Sequence, residues 1–94
     1  MKMKVENMVS NKSGRSVPNQ FIIRDGGKRY FQSYDTIIAL IDEIGCVILD
    51  KKAWKYSNTT IRYRNQFLGE SSREVESKVK SGKYILADLN IDKR

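Results

Sequence analysis

Histidine is absent from this 94-residue chain. With it goes the side chain best suited to proton transfer near neutral pH. General acid–base chemistry would fall to carboxylates, lysines or tyrosines. Cysteine occurs once, at Cys46, so an internal disulfide is excluded and a reducing, cytosolic setting fits. One cysteine without histidine also excludes a zinc site. A catalytic thiol needs a neighbouring base, so Cys46, inside Ile44-Gly45-Cys46-Val47-Ile48-Leu49, reads as a small buried apolar residue. The chain lacks any apolar run near the ~18 residues of a spanning helix. Its basic N-terminus is followed by no apolar signal-peptide core, so the Asn11 and Asn58 glycosylation triplets have no compartment to act in. No Gly-x-x-x-x-Gly-Lys loop is present. Asp35, Asp42, Glu43 and Asp50 match no cation-binding spacing and read as solvated hairpin charges. The expectation is a protein without metal, cofactor or enzymatic activity.

What is present suits one small domain. The hydrophobic fraction is 39% and the aromatic fraction 10%, enough for a modest core. The formal charge is +7, unevenly placed. Residues 1–34 carry seven basic and two acidic groups, and residues 51–69 carry five basic and none acidic. Residues 35–50 carry four acidic groups and no basic one. If the two basic blocks meet in space they form one face for a polyanion.

The pattern predicts an α+β domain, with a mostly antiparallel sheet and two short helices before the last strand. A single domain spans 1–94, its folded core about 3–89 and its tail, 90–94, loose. Lys2–Val9 alternates as a first strand. Pro18 permits a strand only from Asn19 onward. Gln20–Arg24 and Lys28–Ser33 flank the Asp25-Gly26-Gly27 turn as a hairpin. Thr36–Ile41 suits a strand by its β-branched residues, or a short helix capped by Asp35. The strand reading pairs it with Cys46–Leu49 across a turn at 42–45. Ser57 or Asn58 caps a helix to about Leu68, stopped by Gly69. A helical wheel groups Thr60, Tyr63, Phe67, Leu68 and Ile61 on one arc with Arg64 inside it. Ser71-Ser72-Arg73-Glu74 is a capping box opening a second helix, with Glu74–Lys78 and Glu76–Lys80 pairs along it. Lys83–Leu89 closes the fold as a strand.

Basic side chains beside flat rings suit a phosphate backbone with stacked bases. The candidate contacts are Arg15, Arg24, Lys28, Arg29, Lys51, Lys52, Lys55, Arg62 and Arg64. Tyr30, Trp54 and Tyr56 are candidate stacking rings. Each has a plainer reading. Trp54 buries enough area to be core. Tyr30 and Phe31 alternate, so one ring points inward and one outward, beside Lys28 and Arg29. Arg64 either pairs with a carboxylate such as Asp50 or Asp35, or stands at a pocket rim for phosphate.

Val17-Pro18-Asn19-Gln20-Phe21-Ile22-Ile23, Tyr30-Phe31-Gln32-Ser33-Tyr34, Leu49-Asp50, Trp54, Tyr56-Ser57, Thr59-Thr60, Tyr63-Arg64 and Phe67-Leu68-Gly69-Glu70 together resemble a family of small uncharacterised proteins of bacteriophages and prophages. The likeness runs from about residue 14 to residue 90. It implies a phage accessory protein of the bacterial cytoplasm and no particular catalytic residue. The expected function is non-enzymatic binding of nucleic acid or a nucleoprotein. Two alternatives stand beside it: an anti-CRISPR-like inhibitor that binds a host defence protein, and a virion or assembly component. No membrane partner is expected, and oligomeric state is not readable.

Overall fold

A computed structural model describes residues 3–91. Six strands and two helices follow in the order β1 (Met3–Val9), β2 (Ser16–Asp25), β3 (Lys28–Ser33), β4 (Thr36–Ile41), β5 (Val47–Asp50), α1 (Asn58–Leu68), α2 (Ser72–Lys80) and β6 (Ile85–Ala87). The strands form one sheet in sequence order. β1 to β5 pair antiparallel, and β6 joins β5 parallel. The parallel step follows from connectivity, because a parallel neighbour needs a long crossover and α1 and α2 supply it. This is the expected α+β domain.

The turns explain the meander. Gly26, at φ 63, lets β2 fold onto β3 in two residues. Tyr34-Asp35 makes an equally short turn into β4. Asp35 is consumed there, so Thr36–Ile41 follows its β-branched preference as a strand. Pro18 does not precede β2 but lies within it, a correction to the expected start at Asn19. The β1–β2 register slips there, from Asn7 opposite Phe21 to Val9 opposite Ser16. A proline at such an irregularity removes no ladder hydrogen bond. The Asp42 carboxylate accepts from the backbone N–H of Ile44 and Cys46. That loop holds Cys46 outside β5 and exposed, against the expectation of a buried thiol.

Both helices lie on one face of the sheet. α1 contributes buried Thr60, Tyr63 and Arg64, with Phe67 stacked on Phe31 at 5.9 Å. α2 contributes Val75. With Met8, Ile38, Ala39, Val47, Leu49, Ala53 and Tyr84 these form the core. Ser57 caps α1, and Gly69 ends it at φ 70. The capping box at Ser71 and Glu74 is present. The expected i,i+4 ion pairs on α2 are not the ones formed. Lys78 joins Glu70, whose carboxylate also takes the Tyr84 hydroxyl, and Glu76 joins Lys55.

The chain end is tied down by a buried carboxylate. Asp50 accepts from the backbone N–H of Lys52, Ala53 and Leu89 and from the Asn90 side chain. Asn90 also brackets Ile37, accepting from its N–H at 2.7 Å and donating to its carbonyl at 2.8 Å. A side-chain amide here takes the place of a strand neighbour beyond the end of β5. Asn90 therefore belongs to the folded unit rather than to a loose tail, whose last residues, 92–94, lie outside the described ones.

The opposite face of the sheet is built from the alternate residues. Pairing sets Val5, Ile23, Tyr30, Leu40, Ile48 and Ile85 side by side in one row across all six strands. None of the six joins the core cluster or packs against it.

Candidate nucleic-acid interface

The two basic blocks meet where Lys12 and Arg62 line one cleft, but the hairpin arginines and the 51–55 lysines do not share a face. Arg24 and Arg29 are register partners at the β2–β3 hairpin end of the sheet. Lys51, Lys52 and Lys55 follow β5, near the opposite end of β3, about 15 Å away by strand rise. Some of these charges are already matched. Arg24 pairs with Glu6 at 2.9 Å, and Lys55 pairs with Glu76 at 3.0 Å while lying 4.7 Å over the Trp54 ring. Arg29 lies over Phe67. Lys28 projects on the open face beside Tyr30, and Arg15 is exposed in the β1–β2 loop. Arg62 is exposed on α1 and shares a cleft of about 480 Å³ with Lys12 and Glu70. Lys51 and Lys52 are exposed and enter no ion pair among the described residues.

Arg64 answers neither expectation. It is 1% exposed, so it stands at no rim. Its partners are neutral rather than Asp50 or Asp35. It donates to the Trp54 carbonyl at 2.7 Å and to Asn65 Oδ1 through two nitrogens, and its guanidinium lies 5.5 Å over the Trp54 ring. Burial pulls its pKa down and nearby Glu76 partly offsets this. Only a planar fork reaches a carbonyl, an amide and a ring face together. Arg64 thus joins the 51–56 segment to α1. Trp54 is half-buried against the core, and its ring is covered by two cations rather than open for stacking.

A second cleft, of about 630 Å³, opens beside the residues that remain available. It is lined by Ser33, Tyr34, Asp35, Thr36, Ile38, Lys52, Ala53, Tyr56 and Ser57. Tyr34 is 56% exposed and Tyr56 75% exposed. Tyr34 holds φ 57, a left-handed backbone that disfavours a bulky side chain. Its N–H donates to the Asn19 carbonyl, and its carbonyl accepts from the Gln32 amide. Those two bonds keep the strained turn in place and its ring in solvent. At the floor, the Ser57 hydroxyl donates to Thr60 Oγ1 at 3.1 Å, and Thr60 Oγ1 contacts Ser33 Oγ at 3.2 Å. Gln20, opposite Ser33 in the β2–β3 register, is fully buried with both amide atoms unpaired among the described residues. The N-terminus of α1 opens here, with no acidic residue in its first turn, so its dipole adds positive potential beside Lys52. Two open rings, a lysine, a helix N-terminus and hydroxyls can take a flat ring and an adjoining phosphate.

Of the residues singled out from sequence, Lys52 and Tyr56 meet in this cleft, with Lys51 beside it. Tyr34 was missed. Its signal was the short Tyr34-Asp35 link between two strands, which forces a positive φ on whichever residue stands first. No cluster of potential metal ligands occurs among the described residues, and no helix is long and apolar enough to cross a membrane. Comparisons with curated proteins and with solved structures return no match. A family model does match, over residues 3–84, and on that extent the chain belongs to a family of unknown function, DUF8033.

Proposed function

We propose that this protein is a non-enzymatic binding module for single-stranded nucleic acid, alone or within a nucleoprotein, acting at the Tyr34–Tyr56–Lys52 cleft. The observation that carries the reading is Tyr34, an aromatic ring displayed on a left-handed backbone that hydrogen bonds hold in place. Strain of this kind persists where its surroundings impose it, and it clusters at ligand sites. Tyr56 supplies a second stacking surface, since every base has a π-face. Lys51, Lys52 and the α1 N-terminus supply the phosphate contacts. The cleft's one carboxylate, Asp35, accepts the Thr36 hydroxyl beside it. The resemblance to phage proteins supports an activity in an infected bacterial cytoplasm.

Fluorescence anisotropy with labelled single-stranded and duplex oligonucleotides tests this across a salt series. Single strands should bind more tightly than duplex, with affinity falling steeply as salt rises. Tyr34→Ala and Tyr56→Ala should each weaken binding by roughly 5-fold or more, the range for loss of one stacked base. Tyr34→Gly should weaken binding equally yet leave the melting temperature unchanged or higher, because glycine relieves the backbone strain. Absence of binding at low salt, or full affinity in both tyrosine variants, would reject the proposal.

A further inference from the structure

The face of the sheet away from the helices is the largest surface feature that nucleic-acid binding leaves unexplained. Its central row is Val5, Ile23, Tyr30, Leu40, Ile48 and Ile85, paired strand to strand without interruption. On one side of the row stand Asn7, Phe21, Gln32 and Ile37, and on the other Met3, Asp25 and Lys28. Met3 is 63% exposed, Val5 57% and Ile85 53%, so the row stays open to both edges of the sheet. An antiparallel sheet with a solvated face shows polar residues there, whereas the central row of this one is all aliphatics and a ring. Strands ~4.8 Å apart and a two-residue rise of ~6.8 Å give these thirteen positions a footprint of roughly 400 Å². That is within the range of the largest patch on a monomer, which is often functional, and about half of the ~800 Å² that each partner of a standard interface contributes.

The charge distribution names the occupant. In a chain of net charge +7, these thirteen positions include one acidic and one basic side chain, Asp25 and Lys28, neither in an ion pair among the described residues. The patch is therefore neutral and has no attraction for a polyanion. It is also a broad surface on which two copies of a basic chain can meet without mutual repulsion. We propose that two copies of this protein associate through these faces, sheet against sheet, in a two-fold dimer. The same patch on each copy buries the Tyr30–Leu40–Ile48 centre of the other. The Tyr34–Tyr56 cleft is formed by the turn after β3 and the segment before α1, so a sheet-to-sheet dimer leaves two such clefts open. The proposal does not depend on what the clefts bind.

Sedimentation velocity over a concentration series, with the protein alone, tests it. Wild type should shift from monomer to dimer as concentration rises, insensitively to salt because the contact is apolar. Val5→Lys and Ile85→Lys change residues already more than half exposed, so the domain still folds, and circular dichroism checks this. Each should weaken dimerisation by 10-fold or more, and the pair together should give monomer. Tyr56→Ala, in the cleft beside the β3–β4 turn, should dimerise as wild type does. A wild-type chain that stays monomeric at every soluble concentration overturns the proposal. So does a dimer that survives both lysine substitutions, and so does a monomer that binds an apolar dye at this face, since that surface would then serve a different partner.

Discussion

Single residues here work by replacing backbone. Asp50 is fully buried and draws three backbone N–H groups and the Asn90 amide onto one carboxylate. Asn90 does for Ile37 what a strand neighbour would do. The pair joins the 51–53 turn, the end of β6 and the edge of β4, which are far apart in sequence. Asp50→Ala leaves these donors buried without acceptors, each costing about 1–3 kcal/mol. A loss of at least 3 kcal/mol in urea denaturation is expected, with a smaller loss, about 2 kcal/mol, for Asn90→Ala. Equal stability of Asp50→Ala and wild type would show that water replaces the carboxylate. Tyr34 is the counterexample among single residues, since its backbone closes the β3–β4 turn while its ring stays outside the core.

The helices depend on their ends, because each is short. α1 has 11 residues and α2 nine, lengths at which isolated helices are marginal in water. Gly69 ends α1 in the left-handed region, and a Cβ built there meets nothing within 4 Å. The cost of Gly69→Ala is therefore backbone strain alone, about 1 kcal/mol. Thermal denaturation should show a fall of a few degrees with an unchanged near-ultraviolet spectrum. A larger loss, or altered aromatic packing, would mean that the α1–α2 junction has been displaced. Gly27 differs, because an added Cβ would come within 2.8 Å of the Glu43 side chain. There a flexible chain can move aside.

At the scale of the whole molecule, the titrating groups with displaced pKa values define a stability plateau. Hydrogen bonds from the Ser71 backbone and side chain hold Glu74 below its ordinary value, and the hydrogen bond from Lys55 does the same for Glu76. A lowered folded-state value means the contribution is whole above the unfolded value, about 4.5, and is lost as pH falls through the folded one. Lys78 is raised by its bond to Glu70, and Tyr84 chiefly by burial. Their contributions are whole below about pH 10 and fade as pH rises through the folded values. Melting temperature should therefore be flat between these limits and fall on both sides. Glu74→Gln should flatten part of the acid arm, and Tyr84→Phe part of the alkaline arm. An acid arm identical in Glu74→Gln would remove the capping box from this account.

Local chemistry made much of this architecture legible. The Gly26 hairpin, the Ser57 and Ser71 caps, the Gly69 stop and the apolar arc of α1 each depend on neighbours within a few residues, and the expected strands and helices formed. Composition alone made histidine chemistry and an internal disulfide unavailable. What sequence could not decide were relations between distant segments. Arg64 lay in an apolar stripe, but that its partners are the Trp54 carbonyl and ring rather than a carboxylate depends on how the 51–56 turn crosses α1. The two basic blocks carry their charges whatever the fold, yet the length of β3 separates Arg24 and Arg29 from Lys51, Lys52 and Lys55. Tyr34 became a candidate contact only when a two-residue turn imposed a left-handed backbone on it. The open row from Val5 to Ile85 exists only because six strands pair in register. Turns and caps are settled by short-range sterics and hydrogen bonds that any local window contains, whereas faces, clefts and charge neighbourhoods are set by the pairing of the whole sheet.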